Sequence, residues 1–166
     1  MRVPEASMQQ VLGRALSRGS VAGLVAMAAV ALAGIRERRS GVGPINATSH
    51  VLWGDEAGAT DSVDLKHTLP GVLINGGAGV FWALVHELLR SRVLRGRSVP
   101  AVASGAAVAG LAYLVDYHLI PRRLSPGWEL RLSRGSVALG FVALGLGLVV
   151  AELVRPNADK GSKRSR

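Results

Sequence analysis

Uncharged residues gather along this chain in four unbroken apolar blocks, Gly19 to Ile35, Leu69 to Val85, Ser98 to Val115 and Gly135 to Ala151, each 17 or 18 residues long. At about 1.5 Å of rise per residue such a block makes a helix of roughly 26 Å, just short of a hydrocarbon core of about 30 Å. Arginines at the block edges (Arg18, Arg36, Arg90, Arg97, Arg134 and Arg155) can lengthen each helix, their stems lying in lipid while the guanidinium groups reach the headgroups. Proline marks the same boundaries. Pro70 and Pro100 fall where a first helical turn has an N–H to spare, and Pro121 and Pro156 fall past helix ends. The pattern predicts an all-α, integral membrane four-helix bundle with spans over about 19–35, 69–87, 98–117 and 135–153. Residues 1–155 then form the transmembrane domain and 156–166 a basic, disordered cytoplasmic tail. A soluble bundle would have to bury four helices on all sides in a domain of this size, leaving few polar faces for water.

Small residues suggest which helices meet. Gly19 and Gly23, Ala29 and Ala33, Gly105 and Ala109, and Ala106 and Gly110 stand at the four-residue spacing that lets backbones approach, so blocks one and three are expected at the centre. Block four is apolar around most of its circumference and is expected to face lipid. Block two contains Asn75-Gly76-Gly77-Ala78-Gly79, which reads either as close packing or as a locally unwound segment. No strand and no GxGxxG accompany it, which excludes a dinucleotide loop. The heptad Leu16 to Ala22 recurs as Leu132 to Ala138, either a remnant of inverted symmetry or a repeated entry device led by a snorkelling arginine.

Composition narrows the classes. The chain has 166 residues, is 49% apolar, carries a formal charge of +9 and has no cysteine, which excludes a disordered chain, a disulfide scaffold and a large enzyme. Nucleic acid is the obvious partner for so basic a protein, but no folded basic module, aromatic stacking pattern or zinc spacing supports it. Topology explains the charge instead: with both termini cytoplasmic, twelve Lys and Arg lie inside and eight outside. The tail then meets the anionic headgroups of the cytoplasmic leaflet. Block one with Ala31-Leu32-Ala33 also resembles a cleaved secretory signal, yet Arg36, Arg38 and Arg39 immediately after the cut would resist translocation, and an uncleaved first span is expected.

Candidate chemistry collects on the outer side. His50, Asp55 and His67 in the first loop and Asp116 and His118 after the third span form a candidate polar cluster, able in principle to hold a metal ion through imidazoles and a carboxylate. The spacing contains no HxxxH and no HExxH, so no metal or other cofactor is assigned. Arg122 and Arg123 are candidate contacts for lipid phosphate or another anion, unless they pair with Asp116 and Glu129. Residues 43–55 suit a short surface helix anchored by Trp53, and Asn46-Ala47-Thr48 matches a glycosylation sequon. On the other side Glu87 and Glu152 each precede an arginine by three residues, Arg90 and Arg155, and are read as local interfacial pairs, with His86 an interfacial neighbour.

Two stretches, His50 to Gly54 and Asp116 to Glu129, resemble small uncharacterised inner-membrane proteins of bacteria. The resemblance implies a multi-pass protein of the plasma membrane and brings no activity with it. No polar pathway crosses the spans, where Asn75 and Ser104 are the only mid-depth polar side chains, so the expected function is a structural or accessory membrane component rather than an enzyme, with a folded first outer loop packed on the connection between the third and fourth spans. Its partners would be anionic lipids, another membrane protein or a second copy of the chain. The alternative is a small transporter or membrane enzyme that uses the outer His and Asp residues to handle a metal ion or protons.

Overall fold

The computed structural model describes residues 6–94 and 97–154; Arg95, Arg155 and the tail 156–166 lie outside the described residues. The described residues are mostly helical and contain no strand. In chain order they form α1 (Met8–Arg38), α2 (Gly43–Ala47), α3 (His50–Trp53), a 3-10 turn (Asp55–Ala59), α4 (Thr68–Leu88), α5 (Ala101–Leu114) and α6 (Arg134–Val154). A π-helical turn continues α4 through Leu89–Val93 and another continues α5 through Val115–Leu119. Two 3-10 turns, Arg122–Leu124 and Trp128–Leu130, lie between α5 and α6. With their extensions, α1, α4, α5 and α6 are long and apolar enough to cross a membrane.

The helix boundaries follow the charge breaks except in α1. That helix begins at Met8, eleven residues before the apolar block, because Ser7 and Gln10 form a reciprocal cap: the Ser7 hydroxyl accepts from the Gln10 amide at 3.2 Å and the Gln10 side chain accepts from the Ser7 amide at 2.9 Å. It runs unbroken through Ala31-Leu32-Ala33 and stops where Arg39 turns left-handed, at φ 57°. Thirty-one residues make a rod of roughly 46 Å.

Glycine decides the packing of α1. A side chain on Gly79 of α4 would stand 2.8 Å from the Gly19 carbonyl and the Gly23 Cα, so α1 and α4 touch backbone to backbone. The Asn75 to Gly79 segment is therefore ordinary α-helix, and Gly79 serves close packing. Gly147 of α6 meets Ala22 on another face of α1, while a side chain on either Gly105 of α5 or Gly145 of α6 would stand 2.9 Å from the other's carbonyl oxygen.

This order corrects the expected positions of two helices. α6, expected to face lipid, is the most enclosed, with 56% of its most apolar window buried between α1 and α5, against 28% for α5. An all-round apolar helix can sit in the centre as readily as at the rim. The core runs between these rods through Ala22, Ala26, Trp82, Ala83, Phe141 and Leu148.

The matched heptads also part company. Gly19 is a close-contact residue and Arg18 is buried, whereas Gly135 has open space where a Cβ would stand and Arg134 is exposed. Arg18 is thus not the snorkelling flank its position suggests.

Candidate functional site: a folded cap, a cavity beneath it and a buried charge cluster

Residues 39–67 fold over one end of the four long helices, and Asn46 is their keystone. Fully buried, it donates to the Thr60 and Ser62 carbonyls at 3.0 and 2.9 Å and accepts from the Thr68 hydroxyl at 2.7 Å. A sequon asparagine whose amide is committed in this way cannot carry a glycan in the folded protein. Trp53 is half exposed, its indole donating to the Lys66 carbonyl at 2.8 Å under the Lys66 ammonium.

The cap locks onto the connection between α5 and α6. His50, only 2% exposed, donates from Nε2 to the Ser125 carbonyl at 2.9 Å, which fixes its tautomer. Gly127 lies against the Ala47 carbonyl and the His50 ring with φ +75°, a position that a side chain would both strain and overfill. Arg131 pairs with Asp61 and donates to the Gly58 carbonyl at 2.9 Å. Glu37, at the end of α1, accepts from the Ser133 amide and hydroxyl at 2.8 Å each. Hydrogen bonds from Ser40 and Arg131 hold the Asp61 carboxyl below its ordinary 3.8, and those from the His67 side chain and backbone do the same for Asp64.

The candidate polar cluster is dispersed among separate partners. Asp55 lies 3.7 Å from His50 Nδ1 but pairs with Arg122 at 3.1 Å. His67 donates to Asp64 at 2.8 Å. Asp116 lines a cavity beneath the cap, near the Trp82 side chain. His118 is exposed, with its ring 5.6 Å from that of Tyr113. Among the described residues no group of three or more His, Cys, Asp or Glu is arranged to hold a metal ion. Arg122 and Arg123 do not pair with Asp116 and Glu129: Arg122 takes Asp55, Arg123 reaches the Leu52 carbonyl at 3.5 Å, and Glu129 accepts from Tyr117 and Ser125 at 2.8 Å each.

Beneath the cap lies a cavity of about 410 Å³, reached by all four long helices. Phe81, Trp82, Trp128 and Phe141 form its aromatic wall, and Thr48, Asn75, Asp116 and Ser125 are its polar members. Asn75 donates to Thr48 at 2.9 Å and to the Gly71 carbonyl at 2.8 Å.

Toward the other end of the helices is a buried polar cluster. Arg18 and Glu87 form an ion pair between α1 and α4, both under 5% exposed. His86, fully buried, meets the Ser104 hydroxyl of α5 at 3.0 Å and stands 3.8 Å from Glu152 of α6, while Arg90 grips Glu152 at 2.6 Å and the Val99 carbonyl at 2.8 Å. The expected pairing of Glu87 with Arg90 is thereby corrected, because Glu87 reaches across to Arg18 and Arg90 takes Glu152; Arg155, the expected partner of Glu152, lies outside the described residues. Each residue was visible as a charge at a block edge; their convergence was not, since spacing along one helix says nothing about which helix stands opposite.

The chain matches no family model, no curated protein and no solved structure.

Proposed function

We propose that this protein is a four-span component of the bacterial plasma membrane, with both termini cytoplasmic and the cap on the outer surface, and that its role is accessory: the cap seats anionic lipid headgroups or a neighbouring membrane protein. The observation that carries this reading is the cap itself. Its buried polar groups are spent on holding the 39–67 segment to the 122–133 connection, while its rim presents exposed Leu52, Trp53, Leu65 and Leu124 beside Arg122 and Arg123. Aliphatic and indole groups next to guanidinium groups match the boundary between acyl chains and phosphates. Arg18, Glu87, Arg90 and Glu152 have partners within the bundle, as charges at membrane depth require.

The alternative role, handling a metal ion or protons through His50, Asp55, His67, Asp116 and His118, would need these groups to converge; His50 and Asp55 approach to 3.7 Å, but His67 is paired with Asp64, Asp116 lines the cavity and His118 is exposed beside Tyr113.

Native mass spectrometry of detergent-solubilised protein tests the accessory reading. Phosphatidylglycerol is expected to remain bound through gentle activation and to be lost in the R122A/R123A variant, with phosphatidylcholine retained equally poorly by both. Equal phosphatidylglycerol retention by the two proteins would overturn the lipid-seating role.

A further inference from the structure

Asp116 is the exception among the acidic groups of this chain. Of the nine described carboxylates, six face an arginine, lysine or histidine, and Glu37 and Glu129 each accept hydroxyl hydrogen bonds. Asp116 has no cationic partner among the described residues; it stands near the Trp82 side chain, and both line the cavity under the cap. A carboxylate in an apolar wall is costly without a counter-charge. The remaining polar residues of the cavity do not provide one, since Asn75 is engaged with Thr48 and Gly71, and Ser125 with Glu129.

The rest of the wall has a matching chemistry. Trp82, Trp128, Phe81 and Phe141 line it, aromatic side chains whose rings attract cations through their quadrupoles, with Trp the strongest. The volume of about 410 Å³ suits a small molecule. Phe81 and Leu124, 55% and 56% exposed, place its rim at the molecular surface, so a ligand has a way in.

We propose that this cavity is a binding site for a small organic cation, an ammonium group on an apolar body, with Asp116 as its counter-charge and the indoles of Trp82 and Trp128 as its aromatic cage. Neither Arg122 nor Arg123 lines the site, although Leu124 belongs both to the rim of the cap and to the rim of the cavity. Its ligand can be a free lipophilic amine or the ammonium headgroup of a zwitterionic lipid, which share this chemistry.

Calorimetric titration of the full chain in maltoside micelles with phenyltrimethylammonium tests the assignment, with neutral tert-butylbenzene as the isosteric control. Saturable binding of the cation is expected, weakened about tenfold or more by Asp116→Asn, while the neutral probe responds little to that substitution. Gly77 lines the cavity with open space where its Cβ would stand, so Gly77→Leu fills the site without a backbone clash and is expected to abolish binding with Asp116 intact. This second variant decides the matter if Asp116→Asn fails to fold. Phosphatidylethanolamine that displaces the probe, where phosphatidylglycerol does not, identifies a lipid headgroup as the occupant; displacement by neither identifies a free amine. No saturable binding to the unaltered chain, or an affinity unchanged in both variants, would overturn the proposal.

Discussion

At the scale of single residues, burial separates the charges that matter for stability from those that decorate the surface. Arg18 and Glu87 are enclosed between α1 and α4, so Arg18→Met, which leaves Glu87 without that cation, is expected to cost about 3–5 kcal/mol in a reversible unfolding titration. Arg122 and Asp55 are both well exposed, and Arg122→Ala should change the same measurement by less than about 1 kcal/mol. Asp61 and Asp64 give the cap a pH dependence. A carboxylate held below its ordinary value stabilises the fold above that value and ceases to do so as it is protonated. The cap should therefore loosen as the pH falls through and below 3.8, seen as a loss of aromatic circular dichroism, and Asp61→Asn should make the loss shallower. The outer histidines and carboxylates were legible in the sequence as residues that need partners. What they meet was not, because His50 is satisfied by the Ser125 carbonyl, and backbone leaves no mark in a sequence.

At the scale of elements, glycine spacing carries information that apolar content does not. Gly79 and Gly76 stand three residues apart on α4, yet Gly79 is pressed against α1 and Gly76 has open space beside it. Gly79→Val should force α1 and α4 apart and destabilise the protein by about 1–3 kcal/mol. Gly76→Ala should stabilise it by roughly 0.5–1 kcal/mol through helix propensity alone. Unfolding titrations of the two variants, run in parallel, measure both. The ends of α4 and α6 were readable because charges interrupt the apolar runs there. The early start of α1 was not read from the apolar pattern, because it rests on the Ser7–Gln10 cap and on Val11 and Ala15, which are buried in a stretch otherwise mixed with polar residues. The central place of α6 was hidden for a different reason: a helix apolar on every side has no pattern to say which side is covered.

At the scale of the whole molecule, the proposed orientation makes a direct prediction. A periplasm-dependent phosphatase inserted at Gly58 should be active, and a cytoplasm-dependent fluorescent protein joined after Val154 should glow. The reverse pair of signals would invert the topology and move the cap to the cytoplasm. Either way the cap, the cavity and the charge cluster keep their relation, since this is set by contacts among the helices and not by the compartment. The architecture was legible as four rods with the polar loops 39–67 and 116–134 at one end. Nothing in the pattern announced a cavity, because Asp116, Asn75 and the two indoles lie far apart in the chain and meet only through the fold.

Of the four long helices, α6 leaves the ribosome after the others, and it is the one against which both α1 and α5 are built. Until α6 emerges, a nascent chain holds a tight α1–α4 couple and a stray α5 whose glycine-lined flank has nothing to rest on. Premature termination anywhere before residue 134 should therefore yield a product that cellular quality control recognises as unfinished, and co-expressing α6 as a separate peptide should rescue it.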